Sequence, residues 1–147
     1  MQLISFLRES LMIEGIRRPP TAREIEATEL FLQLHIVTVD SVERLVDLYE
    51  PGARLRTKPT MNVRVGDYIA PPGGPEIALH LESLLTRVNH EGDPWDNHVD
   101  YEMLHPFTDG NGRSGRALWA WQMIRRQDGL PLGFLHQWYY DTLRHAR

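Results

Sequence analysis

The chain has 147 residues, a formal net charge of −4, 41% hydrophobic and 24% charged residues, and no cysteine. That length suits one domain with a real core and is too short for two ordinary ones, and the composition is that of a soluble globular protein. The charge excludes a broad basic footprint for nucleic acid, and the missing cysteines exclude a disulfide framework, a thiolate metal site and a thiol nucleophile. The start, Met1 to Glu9, has no uninterrupted apolar stretch of the signal-peptide kind, and no run is long enough to cross a bilayer. A cytoplasmic location is therefore expected, with no membrane or nucleic-acid partner.

Leu3 to Glu14 reads as a short helix, with Leu3, Phe6, Leu7 and Leu11 on one face and Gly15 as its C-cap. Ser10 and Glu14 share a face one turn apart, and by spacing alone they read as solvated helix surface. Thr21-Ala22-Arg23-Glu24 is a capping box after Pro19-Pro20. Its helix is expected to reach about His35, offering Ile25, Leu30, Phe31 and Leu34 to the core. Thr38 or Asp40 can cap the next helix, where Val42, Leu45, Val46 and Tyr49 recur at helical spacing until Pro51-Gly52. Ala53 to Ala70 has no helical period. It reads as an exposed hairpin or extended flap with its turn near Lys58-Pro59-Thr60 and Val63 and Val65 on an edge strand, and the basic side chains among its residues, Arg54, Arg56, Lys58 and Arg64, could tune target choice or touch nucleotide phosphate. An exposed edge can pair with an incoming peptide backbone, although an ordinary surface hairpin has the same pattern. After the rigid turn 71–75, Ile77, Leu81, Leu84, Leu85 and Val88 form a core stripe. Asp93-Pro94 opens a further helix that directs Val99, Tyr101 and Leu104 inward and delivers His105 at its end; His98 reads as a hydrogen-bonded packing histidine. A helix through Trp119, Trp121, Met123 and Ile124 to Gly129, then one from Leu132 to Leu143, complete the chain. Trp138, Tyr139 and Tyr140 suit a core, and His136 and His145 are too isolated for a metal.

The stretch from His105 to Arg116 concentrates the chemistry. Pro106 biases His105 away from helical geometry, and Gly110 and Gly112 let the backbone approach a ligand closely. Asn111 is a candidate N-cap for the helix that follows, whose N-terminus would present free N–H groups and partial positive charge to an anion. Arg113 and Arg116, three apart, can lie on one face near that end. Two guanidinium groups beside free amides call for an anion, and a polyphosphate fits them. Asp109 is then a natural ligand for a phosphate-bound Mg²⁺, and His105 is the group suited to proton transfer near neutrality.

This stretch resembles the signature of the Fic family, His-Pro-Phe-x-(Asp/Glu)-Gly-Asn-Gly-Arg-x-x-Arg, with every specified position matched. The resemblance implies transfer of AMP from ATP, with Mg²⁺, to a Ser, Thr or Tyr hydroxyl of a target protein. It makes His105 the base, Phe107 the loop's anchor in the core, and Asp109 the Mg²⁺ ligand. It makes Gly110, Asn111 and Gly112 the anion hole, Arg113 a phosphate contact and Arg116 the γ-phosphate contact. Ser10 to Gly15 is similar to the family's inhibitory motif, (Ser/Thr)-x-x-x-Glu-(Gly/Asn), in which Glu14 would block the γ-phosphate site at Arg116. Residues 53–70 match the flap that holds the target chain, and His98 and Tyr101 match scaffold positions. The implied architecture is all-α: a single compact Fic-type domain over 1–147, with an inhibitory helix at 1–16, a small β-hairpin flap at 53–70 and the catalytic loop at 105–116. Alternatives are Glu14-dependent removal of AMP by the same site, and a non-catalytic nucleotide-binding regulator, which the intact His105 disfavours. Phosphate-transferring members carry Lys where Gly112 stands. A repressor would need a basic charge and a spare domain, and a homo-oligomer is compatible with the sequence.

Overall fold

The computed structural model describes residues 2–90, 92–126 and 143. Six helices and one small hairpin follow in order: α1 (Gln2–Ile13), α2 (Ala22–Leu32), α3 (Val39–Tyr49), β1 (Arg64–Val65), β2 (Tyr68–Ile69), α4 (Pro75–Asn89), α5 (Pro94–Leu104) and α6 (Asn111–Arg125). The all-α class with a small antiparallel flap is the one the sequence implies. The helix expected over Leu132–Leu143, with Trp138, Tyr139, Tyr140 and His136, lies outside the described residues except for Leu143, as do Gly129 and His145. Among the described residues no helix is long and apolar enough to cross a membrane.

The architecture is set by α6, which packs against α1, α2, α3 and α5. A helix so surrounded buries polar side chains along with apolar ones: Asn111, Arg113, Ser114, Arg116 and Gln122 are buried beside Ala117, Leu118, Ala120 and Trp121. Small residues permit the close packing. A methyl on Gly115 would overlap the Glu102 carboxylate and stand 2.9 Å from the Tyr101 ring of α5. The main core joins Val42, Leu45 and Val46 of α3, the α4 stripe, Tyr101 and Leu104 of α5, and Leu118 and Trp121 of α6. A smaller cluster places Phe6 and Leu7 of α1 against Ala120 and Leu143.

The cap signals act where the sequence puts them. α1 ends in a Schellman turn: Ile16 N–H donates to Leu11 O and Gly15 N–H to Met12 O, with Gly15 at φ 75°. Thr21 and Glu24 form the capping box of α2, and Thr38 caps α3 with Ser41. Asp93 caps α5. Three details differ from expectation. Leu30 is 58% exposed, because the inward face of α2 runs through Glu24, Thr28 and Phe31, and Thr28 is satisfied there by hydrogen bonds to Glu24 O and the Tyr49 hydroxyl. The hairpin turns at Gly66-Asp67, with Arg64 opposite Ile69 and Val65 opposite Tyr68. A two-residue hairpin loop needs positive φ, which Gly66 supplies at 59°. The bend at Lys58–Met61 exists, closed by Met61 N–H to Lys58 O, but it joins no strands. Asn111 is the first residue of α6 and not its cap; Gly110, at φ 75°, is the cap residue.

The link from α1 to α2 is clamped by a buried carboxylate. Arg18 donates from both terminal nitrogens to Glu24, at 2.8 and 3.0 Å, while Thr21 N–H donates to the same carboxylate at 2.7 Å. The hydrogen-bonded guanidinium of Arg18 outweighs burial and holds the Glu24 carboxyl down at about 2. A depressed carboxyl stabilises the fold above its unfolded value and loses that contribution as pH falls toward the folded value; the shift corresponds to about 3 kcal/mol, which solvent screening of the partly exposed Arg18 reduces to about 2 kcal/mol. Glu24→Gln is therefore expected to lower the unfolding free energy by about 2 kcal/mol at pH 7. Urea titrations should show the gap to wild type closing between about pH 5 and pH 2. A gap that stays constant across that range would rule the clamp out.

Candidate active site

The loop between α5 and α6 is a tight bracket built by its own side chains. Asn111 reaches back four residues, accepting from Phe107 N–H at 2.9 Å and donating to Phe107 O at 2.8 Å. Phe107 is 1% exposed within the main core, so the loop is anchored by a buried ring. On its other side Leu55 forms an isolated antiparallel bridge with Phe107, supported by Arg56 N–H to Pro106 O and Thr108 N–H to Arg54 O. The helix after the loop leaves the N–H groups of Asn111, Gly112 and Arg113 without acceptors inside the helix, beside the positive end of its dipole.

A cavity of about 530 Å³ opens over this helix end. His105, Asp109, Gly110, Asn111, Gly112, Arg116 and Glu14 all line it, with Val63, Arg64 and Val65 of the flap along one rim. Seven of the residues singled out in the sequence are thus gathered in one place, from the end of α1, the α5–α6 loop and the first turns of α6. His105 has φ 49° and ψ 62°, the left-handed region, immediately after the last turn of α5. Its Nδ1 lies 2.7 Å from Glu102 O. A carbonyl oxygen can only accept, so Nδ1 carries the proton and Nε2 is the nitrogen able to accept one. Asp109 is exposed at the cavity, and its Oδ1 accepts from Gly110 N–H at 2.7 Å.

Arg116 is 2% exposed, and it is held by α1. Its Nε donates to Ser10 Oγ at 2.8 Å, and its Nη2 donates to Ser10 O at 3.0 Å and to Glu14 Oε2 at 2.8 Å. Ser10, which spacing alone would leave at the surface, is 3% exposed. Gly112 makes room for this pairing: a Cβ there would stand 2.6 Å from Glu14 Oε2 and 3.0 Å from Arg116 Nη1. Arg113 faces elsewhere. Its Nη1 donates to Tyr49 O at 2.9 Å and its Nη2 stands 3.6 Å from Glu50, so the guanidinium closes the C-terminus of α3. The two arginines, three apart on one helix, diverge toward different neighbours.

His98 and Tyr101 are scaffold. His98 is 2% exposed, donates from Nδ1 to Gly115 O at 3.1 Å and stacks on Trp119. Burial, then the nearby Arg116 charge, pushes its ring down to about 3, so it is neutral at physiological pH. The Tyr101 hydroxyl pairs with Ser114 Oγ at 2.7 Å.

Two residues of the site were not singled out by their sequence context. Glu102, 4% exposed, lines the cavity. A signal existed, since positions 98, 102 and 105 fall on one face at i, i+4 and i+7. Arg56 would lie at the surface in the expected exposed flap. It is instead wholly buried, and its side chain donates to His105 O, Leu104 O, Pro71 O and Met61 O at 2.6, 2.8, 2.7 and 3.1 Å. Burial lowers its basicity from the usual guanidinium value. Nothing in the local pattern separates it from Arg54 and Lys58, its neighbours of the same parity.

The family model of the Fic/DOC family matches residues 24–123, which run from the first turn of α2 to near the end of α6 and include the whole anion loop. The match begins after α1, so Ser10 and Glu14 lie outside it. With the motif loop, the flap and the helical core all inside the matched span, the chain belongs to the Fic/DOC family.

Proposed function

We propose that the chain is an autoinhibited protein adenylyltransferase, moving AMP from ATP to a Ser, Thr or Tyr hydroxyl of a target protein. The observation that carries this reading is the junction at Arg116. A buried guanidinium at the N-terminal end of α6, beside a cavity that His105 also lines, is occupied by Ser10 and Glu14 of α1.

In this reading the phosphate chain lies across the amides of residues 110–112, where a helix N-terminus favours an anion. The α-phosphorus faces His105. A target hydroxyl gives its proton to His105 Nε2, its oxygen bonds to the α-phosphorus, and the bond from that phosphorus to the bridging oxygen of the β-phosphate breaks. AMP stays on the target, and pyrophosphate leaves toward Arg116. Arg113 acts on the phosphates through its charge across the helix, while Arg116 binds the γ-phosphate once Glu14 releases it. Asp109, a single carboxylate at the cavity beside the amides, fits Mg²⁺, which takes one or two protein carboxylates and fills its shell with phosphate oxygens and water. When bound, that ion would offset charge on the leaving pyrophosphate. The target backbone would pair with the flap edge at β1, whose residues line the cavity rim.

The position of the label tests the reaction class. In cell lysate, compared with a Glu14→Gly, His105→Ala chain whose γ-label is that of the lysate's own kinases, the Glu14→Gly variant is expected to add protein-bound label from ATP labelled at the α-phosphate and to add none from ATP labelled at the γ-phosphate. Protein-bound γ-label in excess of that control would mean phosphate transfer and would overturn the reading. No excess label from either would remove transfer altogether.

A further inference from the structure

The last carbonyls of an α-helix have no partner inside the helix, and a non-glycine residue in the left-handed region needs its surroundings to keep it there. Both conditions meet at the end of α5. The carbonyls left open are those of Glu102, Met103, Leu104 and His105, and each is closed by a side chain. His105 Nδ1 donates to Glu102 O, the Tyr68 hydroxyl to Met103 O at 2.6 Å, and Arg56 to Leu104 O and His105 O. Two of the three side chains come from the flap segment. Arg56 also binds the segment to itself through Met61 O and Pro71 O, and its main chain pairs with Pro106 O and Gly74 N–H. Its positive charge sits at the negative end of the α5 dipole.

We propose that Arg56, assisted by Tyr68, is a positioning residue for His105: from the flap it holds the end of α5 in the one backbone arrangement that keeps Nδ1 on Glu102 O and Nε2 available as the base. This rests on the reading of His105 as the base. Arg56 does not line the cavity and touches no reacting atom; it acts through the histidine. The side chain must be Arg, because four carbonyls in different directions need a planar fork with several donors, which a lysine ammonium cannot span. Tyr68, on β2, adds a second tie from the strand that pairs with β1, whose residues line the cavity rim, so flap and base are one mechanical unit.

The test uses Tyr68→Phe and Arg56→Lys in the full chain carrying Glu14→Gly. Two readouts are taken: kcat for AMP transfer against the Kd for ATP, and the ¹⁵N resonances of the His105 ring, assigned by comparison with His105→Ala. Tyr68→Phe removes one oxygen and is expected to fold. Its kcat should fall by about 3–10-fold and that of Arg56→Lys by about 30-fold, with the Kd for ATP within twofold of the parent, because the anion loop is held separately by Asn111 and Phe107. The ring should lose its single Nδ1-protonated form and exchange between tautomers. If Arg56→Lys fails to fold, Tyr68→Phe alone decides. A kcat within 1.5-fold of the parent with an unchanged ring spectrum in Tyr68→Phe overturns the proposal. So does a loss of transfer matched by an equal loss of ATP affinity. If the parent transfers no AMP, the adenylyltransferase reading fails by itself, and the ring spectra still decide whether Arg56 and Tyr68 hold His105.

Discussion

Replacing His105 with alanine, in a chain that carries Glu14→Gly, is expected to lower the proposed AMP transfer by about 10³-fold and to leave ATP affinity within about twofold. The size follows from the role. A positioned base contributes roughly 10²–10⁴-fold, and no other group on the cavity wall replaces it at the same point. Asp109 is committed on one oxygen to Gly110 N–H, and Glu102 comes from the preceding turn, where its carbonyl serves as the acceptor that fixes the His105 tautomer. ATP affinity is retained because the loop does not depend on the imidazole. Phe107 in the core and the two Asn111 hydrogen bonds hold the backbone of the anion site. Initial rates with α-labelled ATP and a separate nucleotide titration check the two halves. Equal rates with and without the imidazole would remove His105 from the mechanism. Equal loss of rate and affinity would make it a structural residue.

Much of this site is legible in the sequence because its elements carry local signals. A proline after His105 and glycines flanking Asn111 announce a loop, a capping box announces α2, and the Asp93-Pro94 pair announces α5. What was illegible depends on partners distant in sequence. Arg56 and Arg54 are chemically alike and two residues apart, yet one is wholly buried against carbonyls some 48 positions away, and that choice is made by where α5 ends. Leu30 lost its place to Thr28 because Tyr49 of α3 offers a hydroxyl there, and a polar group with a partner can occupy a core position. Arg113 and Arg116 share a spacing that permits one face, but α1 and α3 stand on different sides of α6 and draw them apart. Asn111 has the composition of a cap and works as a clasp, because Phe107 is pinned in the core four residues behind it.

The junction at Arg116 is where these distant partners converge, and Glu14→Gly is expected to raise the proposed AMP transfer at sub-saturating ATP by about 10–10²-fold. In the proposed reading Arg116 cannot serve Glu14 and a γ-phosphate together through Nη2. Its Nη2 is shared between Glu14 Oε2 and Ser10 O, and its Nε is bound to Ser10 Oγ. A hydrogen bond to a charged group is worth about 1.5–3 kcal/mol, and the Glu14 contact joins a guanidinium with 3% of its side chain exposed to a carboxylate with 35% exposed. Removing a competitor of that strength gives a factor of about 10–10² in the affinity of the site for a phosphate, since each 1.4 kcal/mol is tenfold. Glycine at position 14 also clears the space beside Gly112, where the carboxylate now crowds the helix end. Ser10 remains, so Arg116 keeps two of its three α1 contacts and stays aimed at the cavity. Glu14→Gln separates charge from bulk: it keeps the size of the side chain and an acceptor but loses the ionic attraction, and its rate should fall between those of wild type and Glu14→Gly. A calorimetric ATP titration should show the gain as tighter binding, and initial rates at low ATP should show it as faster transfer. If Glu14→Gly binds and transfers no better than wild type, the Arg116–Glu14 pair is a structural tie of α1 to α6 and not an inhibitory one.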